Sequence, residues 1–322
     1  MSYKKEEASR MKFLWAKEFD SGSLLPSGIQ LDGIAGNLVP EIRDFASAYF
    51  AQYGIAWHIH ANHALSSQIA CLNMLMPLAR RPRLLGELIG AALGRDAPVM
   101  LPVEPGPDGQ PVYVGFEWIG RADYLNEWSS GKATRGANVT STDAVVRFEG
   151  KQGPEALLIE WKYTETYASA NERWQSGNAI RRKRYAAKVF APDGPVRADL
   201  GLDVEDFFHE PIYQMLRQTM LAWQMQAHGE DGATRVRVLH VSPHGNTVLH
   251  RMTAPKLPKG DAFEVFRSLL VYPDIFIQTT TEALFSALLT SEPDDPDVQA
   301  WLTYARERYS FLETGTPEMR PT

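Results

Sequence analysis

Apolar residues recur at helical spacing in three stretches of the first 95 residues, predicting helices over Lys4–Phe19 and Pro40–Tyr53 and one long helix from about Ser66 to Leu93. The period then changes. Val112–Ile119, Val139–Phe148 and Leu157–Tyr163 are rich in Val, Ile, Tyr and Trp and are separated by turn residues, which predicts three strands. After a polar segment, Ala168–Asp199, a helix is expected over about Val204–Ala227, where Phe207, Ile212, Met215, Leu216 and Leu221 recur at helical intervals. Arg235–Val241 and Thr247–Arg251 read as strands joined by the turn SPHGN, and helices close the chain. Ser21–Gly36, Pro102–Pro111 and Ser291–Asp297 have the composition of loops. Helix, three strands able to pair antiparallel, helix, strand is the order of an α/β sandwich with one sheet covered by helices.

Composition narrows the function classes. With 322 residues, 44% of them hydrophobic, the chain can bury a large core, and it contains no repeat or low-complexity tract that would split it. The first residues are charged throughout and lack an apolar run of about 7–15 residues, so they do not read as a secretory signal. Ile69–Leu78 is too short to span a bilayer and ends before Arg80, Arg81 and Arg83, so no membrane association is expected and a cytoplasmic protein is. Cys71, alone, forms neither an intramolecular disulfide nor a thiolate cluster, and its apolar neighbours mark it as a buried small residue. A net charge of −6 argues against a surface built throughout to hold nucleic acid, while leaving room for a local basic groove.

The chemistry concentrates in NVTSTDAVVRFEGKQGPEALLIEWKYTETY, residues 138–167. Glu149–Pro154 is a turn by composition, so the flanking strands should form a hairpin. If the hairpin is symmetric about that loop, Asp143 lies directly opposite Glu160, with Cβ atoms roughly 4.5–5.5 Å apart. Facing carboxylates destabilise a sheet unless a cation or a raised pKa compensates. Lys162 shares the face of Glu160 by the period-2 rule, with Ile159 and Trp161 on the other. Hard oxygen ligands suit Mg²⁺ or Mn²⁺, which also bind phosphate oxygens. Asp143 and Glu160 would then hold the metal, and Lys162 would orient the attacking water or stabilise developing negative charge. The bland alternative is an edge strand whose Glu160 and Lys162 pair with each other in solvent. Glu149-Gly150-Lys151 matches Glu-x-Lys too, but lies in the turn.

At these residues the chain resembles the PD-(D/E)XK nuclease superfamily, most closely its bacterial restriction-endonuclease-like members, over roughly Ser66–Val241. The resemblance implies an αβββαβ core with a central mixed sheet flanked by helices. It implies one nuclease-like domain over 1–322, with a catalytic core at about 64–245 and helical extensions at 1–63 and 252–322. Asp143 is then the motif aspartate, Glu160 the second acid and Lys162 the motif lysine, and the backbone carbonyl of Trp161 is a further metal ligand. Thr142 stands where the eponymous proline would be. The implied activity is Mg²⁺- or Mn²⁺-dependent cleavage of DNA in restriction, defence or repair, although the pattern itself does not separate DNA from RNA.

Other residues carry two readings each. Glu117, in the strand before Asp143, is either a third acid bound to metal through water or a solvated strand glutamate, with Phe116 and Trp118 pointing the other way. Gln68 and Asn73 interrupt an apolar helix, beside the site or as helix-helix hydrogen bonds. Gln214, Arg217 and Gln218 share a helical face, supporting the site or simply solvated. The run Arg181, Arg182, Lys183, Arg184 and Lys188, with Trp174 and Tyr185 for stacking, is a phosphate contact or an exposed charged helix. His58, His60 and His63 do not have the HExxH spacing and read as solvated or capping. Neither a P-loop, a GxSxG elbow nor a GxGxxG fingerprint is present. Two rivals to a DNA nuclease stand: a catalytically silent nuclease-fold module binding nucleic acid or protein, and a hydrolase of another phosphate ester. Cutting both strands at once would call for a homodimer. The absence of a reading module such as helix-turn-helix leaves room for a partner protein that selects the target.

Overall fold

The computed structural model describes residues 2–20, 22–129, 131–137, 139–167, 178–290 and 294–313. It begins with two helices, α1 (Tyr3–Glu18) and α2 (Arg43–Tyr53). The single helix expected over 66–93 is instead α3 (Ser67–Leu75), a 3₁₀ turn at Met76–Leu78, and α4 (Pro82–Ala92). Pro77 and Pro82 account for the break, since neither can donate the helical hydrogen bond and each ring crowds the preceding turn. Ser66 caps α3 by accepting from Ile69 N–H.

The strands are β1 (Met100–Leu101), β2 (Glu104–Pro105), β3 (Pro111–Val112), β4 (Val114–Trp118), β5 (Thr142–Gly150) and β6 (Gly153–Trp161). Next come α5 (Asn178–Val189), α6 (Ile212–Ala227), β7 (Arg235–Ser242), α7 (Ala262–Leu269), β8 (Phe276–Thr280), α8 (Thr281–Thr290) and α9 (Pro296–Arg308). The helix expected from Val204 starts only at Ile212, because Pro211 interrupts it and leaves a 3₁₀ turn at Val204–Phe207.

The main sheet runs β1-β5-β6-β7-β8, with β4 also pairing β5. β4, β5 and β6 are antiparallel, while β6, β7 and β8 are parallel. The sheet is therefore mixed, and helices cover both faces. β6 is buried from Glu155 to Trp161, as suits a central strand. Leu157, Ile159 and Trp161 join an apolar cluster with residues of α3, α8 and α9; Ala156 and Leu158 join a second with residues of α5, α6 and α7. No described helix is long and apolar enough to cross a membrane.

Thr247–Arg251, expected as a strand, contains a 3₁₀ turn at Thr247–His250. The place beside β7 is taken by β8, through pairs such as Val238 with Phe276, so the segment has no strand to join. Asp261 caps α7, accepting from Phe263 N–H at 2.9 Å and Glu264 N–H at 3.2 Å. Asp261→Ala should lower unfolding free energy by about 1 kcal/mol, read from urea denaturation; an unchanged midpoint would mean that the cap contributes nothing.

Candidate active site

The β5–β6 hairpin turns at Lys151–Gln152, next to Gly153, whose φ of 129° suits glycine, and pairs Gly150 with Gly153 through to Ala144 with Ile159. The next rung along this register sets Asp143 beside Glu160. Trp161 N–H donates to Asp143 Oδ2 at 2.6 Å. In an extended strand a residue's N–H and C=O point to the same side, so the Trp161 carbonyl also opens toward β5.

Glu160 is buried and surrounded by donors. Lys162 Nζ lies 2.5 Å from its Oε1, Gln214 Nε2 donates to the same oxygen at 2.6 Å, and Gln218 Nε2 donates to Oε2. The two glutamines reach one carboxylate because residues four apart share a helical face. The Tyr167 hydroxyl donates to Gln214 Oε1 at 3.1 Å, fixing that amide. Arg217, on the same helix, turns away: its guanidinium lies over the Tyr213 ring at 5.0 Å. His240 pairs with Glu160 across β6 and β7, and burial, then Lys162, push its imidazole well below the usual range, so it stays neutral.

Glu117 is buried and adopts a φ of 48°, a left-handed conformation that non-glycine residues rarely take. That backbone breaks the strand alternation: Phe116 enters one apolar cluster and Trp118 the other, where both were expected on one side. Gln68 Nε2 donates to Glu117 Oε1 at 2.7 Å, Ser141 Oγ lies 3.5 Å from Oε2, and His58 Nε2 lies 3.4 Å from Oε1. Gln68 Oε1 in turn accepts from His58 N–H at 2.9 Å.

Charge within this cluster is unbalanced. Burial, followed by Glu160, raises Asp143 well above the usual carboxylate range despite Lys162 and the Trp161 N–H. Burial also pushes Glu117 up to about 7, Glu160 adding to the rise while Gln68 opposes it. Burial works against the charge of Lys162, yet Glu160, Tyr167, Glu165 and Asp143 together carry its pKa above the ordinary value. Lys162 is thus held protonated beside Glu160. Among the described residues no three His, Cys, Asp or Glu side chains converge as a metal cage. What the cluster offers is two neighbouring acids and a backbone carbonyl, all hard oxygens.

Some sequence candidates lie elsewhere. Asn73 is structural, accepting from Val39 N–H at 2.9 Å and donating to the Tyr309 hydroxyl at 3.1 Å. The basic run lies on α5, where Arg182 pairs with Asp203 at 2.5 Å and Tyr185 is buried with its hydroxyl on Glu127, so Tyr185 has no free face for stacking. Trp174 lies outside the described residues. Cys71 is buried. His63 Nδ1 accepts from Leu65 N–H at 3.0 Å, a local turn contact ahead of the Ser66 cap. His58 is partly exposed, yet its ring lies beside Glu117; that nearness depends on contacts far apart in sequence, and its position just ahead of the helix carrying Gln68 is the only sequence hint of it.

No curated protein and no solved structure matches the chain. A family profile described as "Restriction Endonuclease associating with ARP" matches residues 25–310, a span containing every residue of the acidic cluster described above. Because that match covers most of the 322 residues, the chain belongs to this restriction-endonuclease family.

Proposed function

We propose that the chain is a metal-dependent nuclease of the PD-(D/E)XK type that hydrolyses phosphodiester bonds in DNA. The observation that supports this most directly is the placing of half-buried Asp143 next to buried Glu160, with Lys162 Nζ 2.5 Å from the Glu160 carboxylate. Asp143, Glu160 and the Trp161 carbonyl would hold Mg²⁺ or Mn²⁺; ions that keep several waters need only one or two carboxylates from the protein, and the surplus of buried acid is relieved by a cation. Once bound, such an ion supplies phosphate binding and a more acidic water. Gln214 and Gln218 fix the Glu160 carboxylate. Gln68 fixes Glu117, which would serve as an outer acid meeting the ion through water. Lys162, being protonated, donates to the phosphate oxygens or the attacking water as negative charge develops. Arg217 has no part in this reading.

The αβββαβ core is assigned to α3 through β7, within one domain whose terminal helices pack on the same sheet. From the family's description we infer association with ARP as well. Supercoiled plasmid incubated with Mg²⁺, Mn²⁺ or chelator tests the activity. Nicking by the wild type should require metal and should disappear in Asp143→Asn with its circular dichroism unchanged. Cleavage that survives in chelator, or in Asp143→Asn, would sink the assignment.

A further inference from the structure

Beside the acids, two surface clefts of ≈ 490 Å³ and ≈ 370 Å³ share Lys4, His60, Leu65, Ser66 and Thr164, so they form one continuous groove. Its inner end reaches His58, next to Glu117, and Thr164, two residues beyond Lys162. Lys4, His58, His60 and His63 line it, and Glu165 is the one acid among the described lining residues, its Oε2 already accepting from Tyr163 N–H at 2.7 Å. Lys4 is the one formal cation among the described lining residues and is matched by Glu165, so what the groove offers phosphate oxygens is the Lys4 ammonium, the His60 ring and the Ser66 hydroxyl.

Its rim carries Ile59, 89% exposed, the most exposed large hydrophobic side chain among the described residues. A lone exposed apolar residue ordinarily needs no explanation. This one stands between two histidines on a fastened loop. His58 N–H is held by Gln68, Ala61 N–H donates to the His58 carbonyl at 2.9 Å, and the Trp57 ring stacks on Phe50 with centroids 4.0 Å apart. The tip is therefore held out beside the acids and does not fold back onto the core.

We propose that this groove takes a single nucleic-acid strand, with phosphates meeting Lys4, His60 and the Ser66 hydroxyl and Ile59 inserted between bases. The inference rests on the nuclease reading of the neighbouring acids and adds the substrate class: DNA that is unpaired where it is cut. Apolar wedges of this kind unstack a base step. The two clefts, ≈ 490 Å³ and ≈ 370 Å³, each lie in the size range that encloses one small ligand unit.

Fluorescence anisotropy of a labelled single-stranded DNA oligonucleotide, and of the same sequence as a duplex, tests this with the full chain in chelator, where binding is read without turnover. The single strand should bind more tightly than the duplex. Ile59→Ala should weaken single-strand binding about fivefold, and Ile59→Phe should retain it. Lys4→Ala should lower the slope of log affinity on log salt by about 0.7. Equal affinity for both forms, no binding of the single strand by the wild type, or Ile59→Ala and Lys4→Ala binding like the wild type would overturn the proposal. Failure of the nuclease reading shows separately, as single-strand binding without metal-dependent cleavage.

Discussion

Lys162→Met should slow plasmid cleavage about 10²–10³-fold, the usual cost of removing one donor aimed at developing charge. Methionine keeps most of the stem and the apolar contacts, so the loss isolates the ammonium. The same change leaves Glu160 buried with only the amides of Gln214 and Gln218. Breaking a buried ion pair from one side costs about 3–5 kcal/mol, so the variant should also unfold at lower urea. The two readouts separate if Glu160→Gln is added: the double variant should recover stability, because the orphaned charge is gone, and should stay inactive. Cleavage by Lys162→Met within a few-fold of wild type would remove Lys162 from the chemistry.

Glu117 makes the second large effect one of pH. Its carboxyl is pushed up from an ordinary 4.5 to about 7 by burial. Between those values the unfolded chain has released this proton while the folded chain keeps it, so stability is greatest at low pH, falls as pH rises toward about 7, and levels above it. The difference amounts to about 3 kcal/mol. Glu117→Gln should accordingly match the wild type near pH 4 and exceed it by up to that amount at pH 8, in urea unfolding without metal. Asp143 shifts in the same direction and steepens the wild-type slope. If Mg²⁺ or Mn²⁺ relieves the acids, adding it at pH 8 should stabilise the wild type more than Glu117→Gln. Parallel pH profiles for the two proteins would show that Glu117 ionises freely.

The β5–β6 hairpin was legible because its two determinants are local: an EGKQGP turn and alternating apolar residues on either side. That pattern is enough to place Asp143 opposite Glu160, and helical spacing is enough to place Gln214 and Gln218 on one face. Parts that depend on distant partners were not legible. Thr247–Arg251 has strand-like composition, yet β8 occupies the edge it would need, and the five residues of β8 are too few to show a period. The flip at Glu117 comes from one backbone angle, and neither Phe116 nor Trp118 announces it. Tyr185 sits among arginines and lysines but faces inward to Glu127, a contact made across 58 residues. The prolines at 77, 82 and 211 were visible, and their helix breaks could have been anticipated from the lost N–H alone.

The nine-residue α3 carries a polar anchor toward each end. Gln68 grips Glu117 and the His58 loop, while the Asn73 carbonyl accepts from the indole of Trp301 on α9 at 2.8 Å. One short helix thus stands between the acids and α9: Glu117 and the His58 loop are held at one end of it, and the Trp301 indole holds the other.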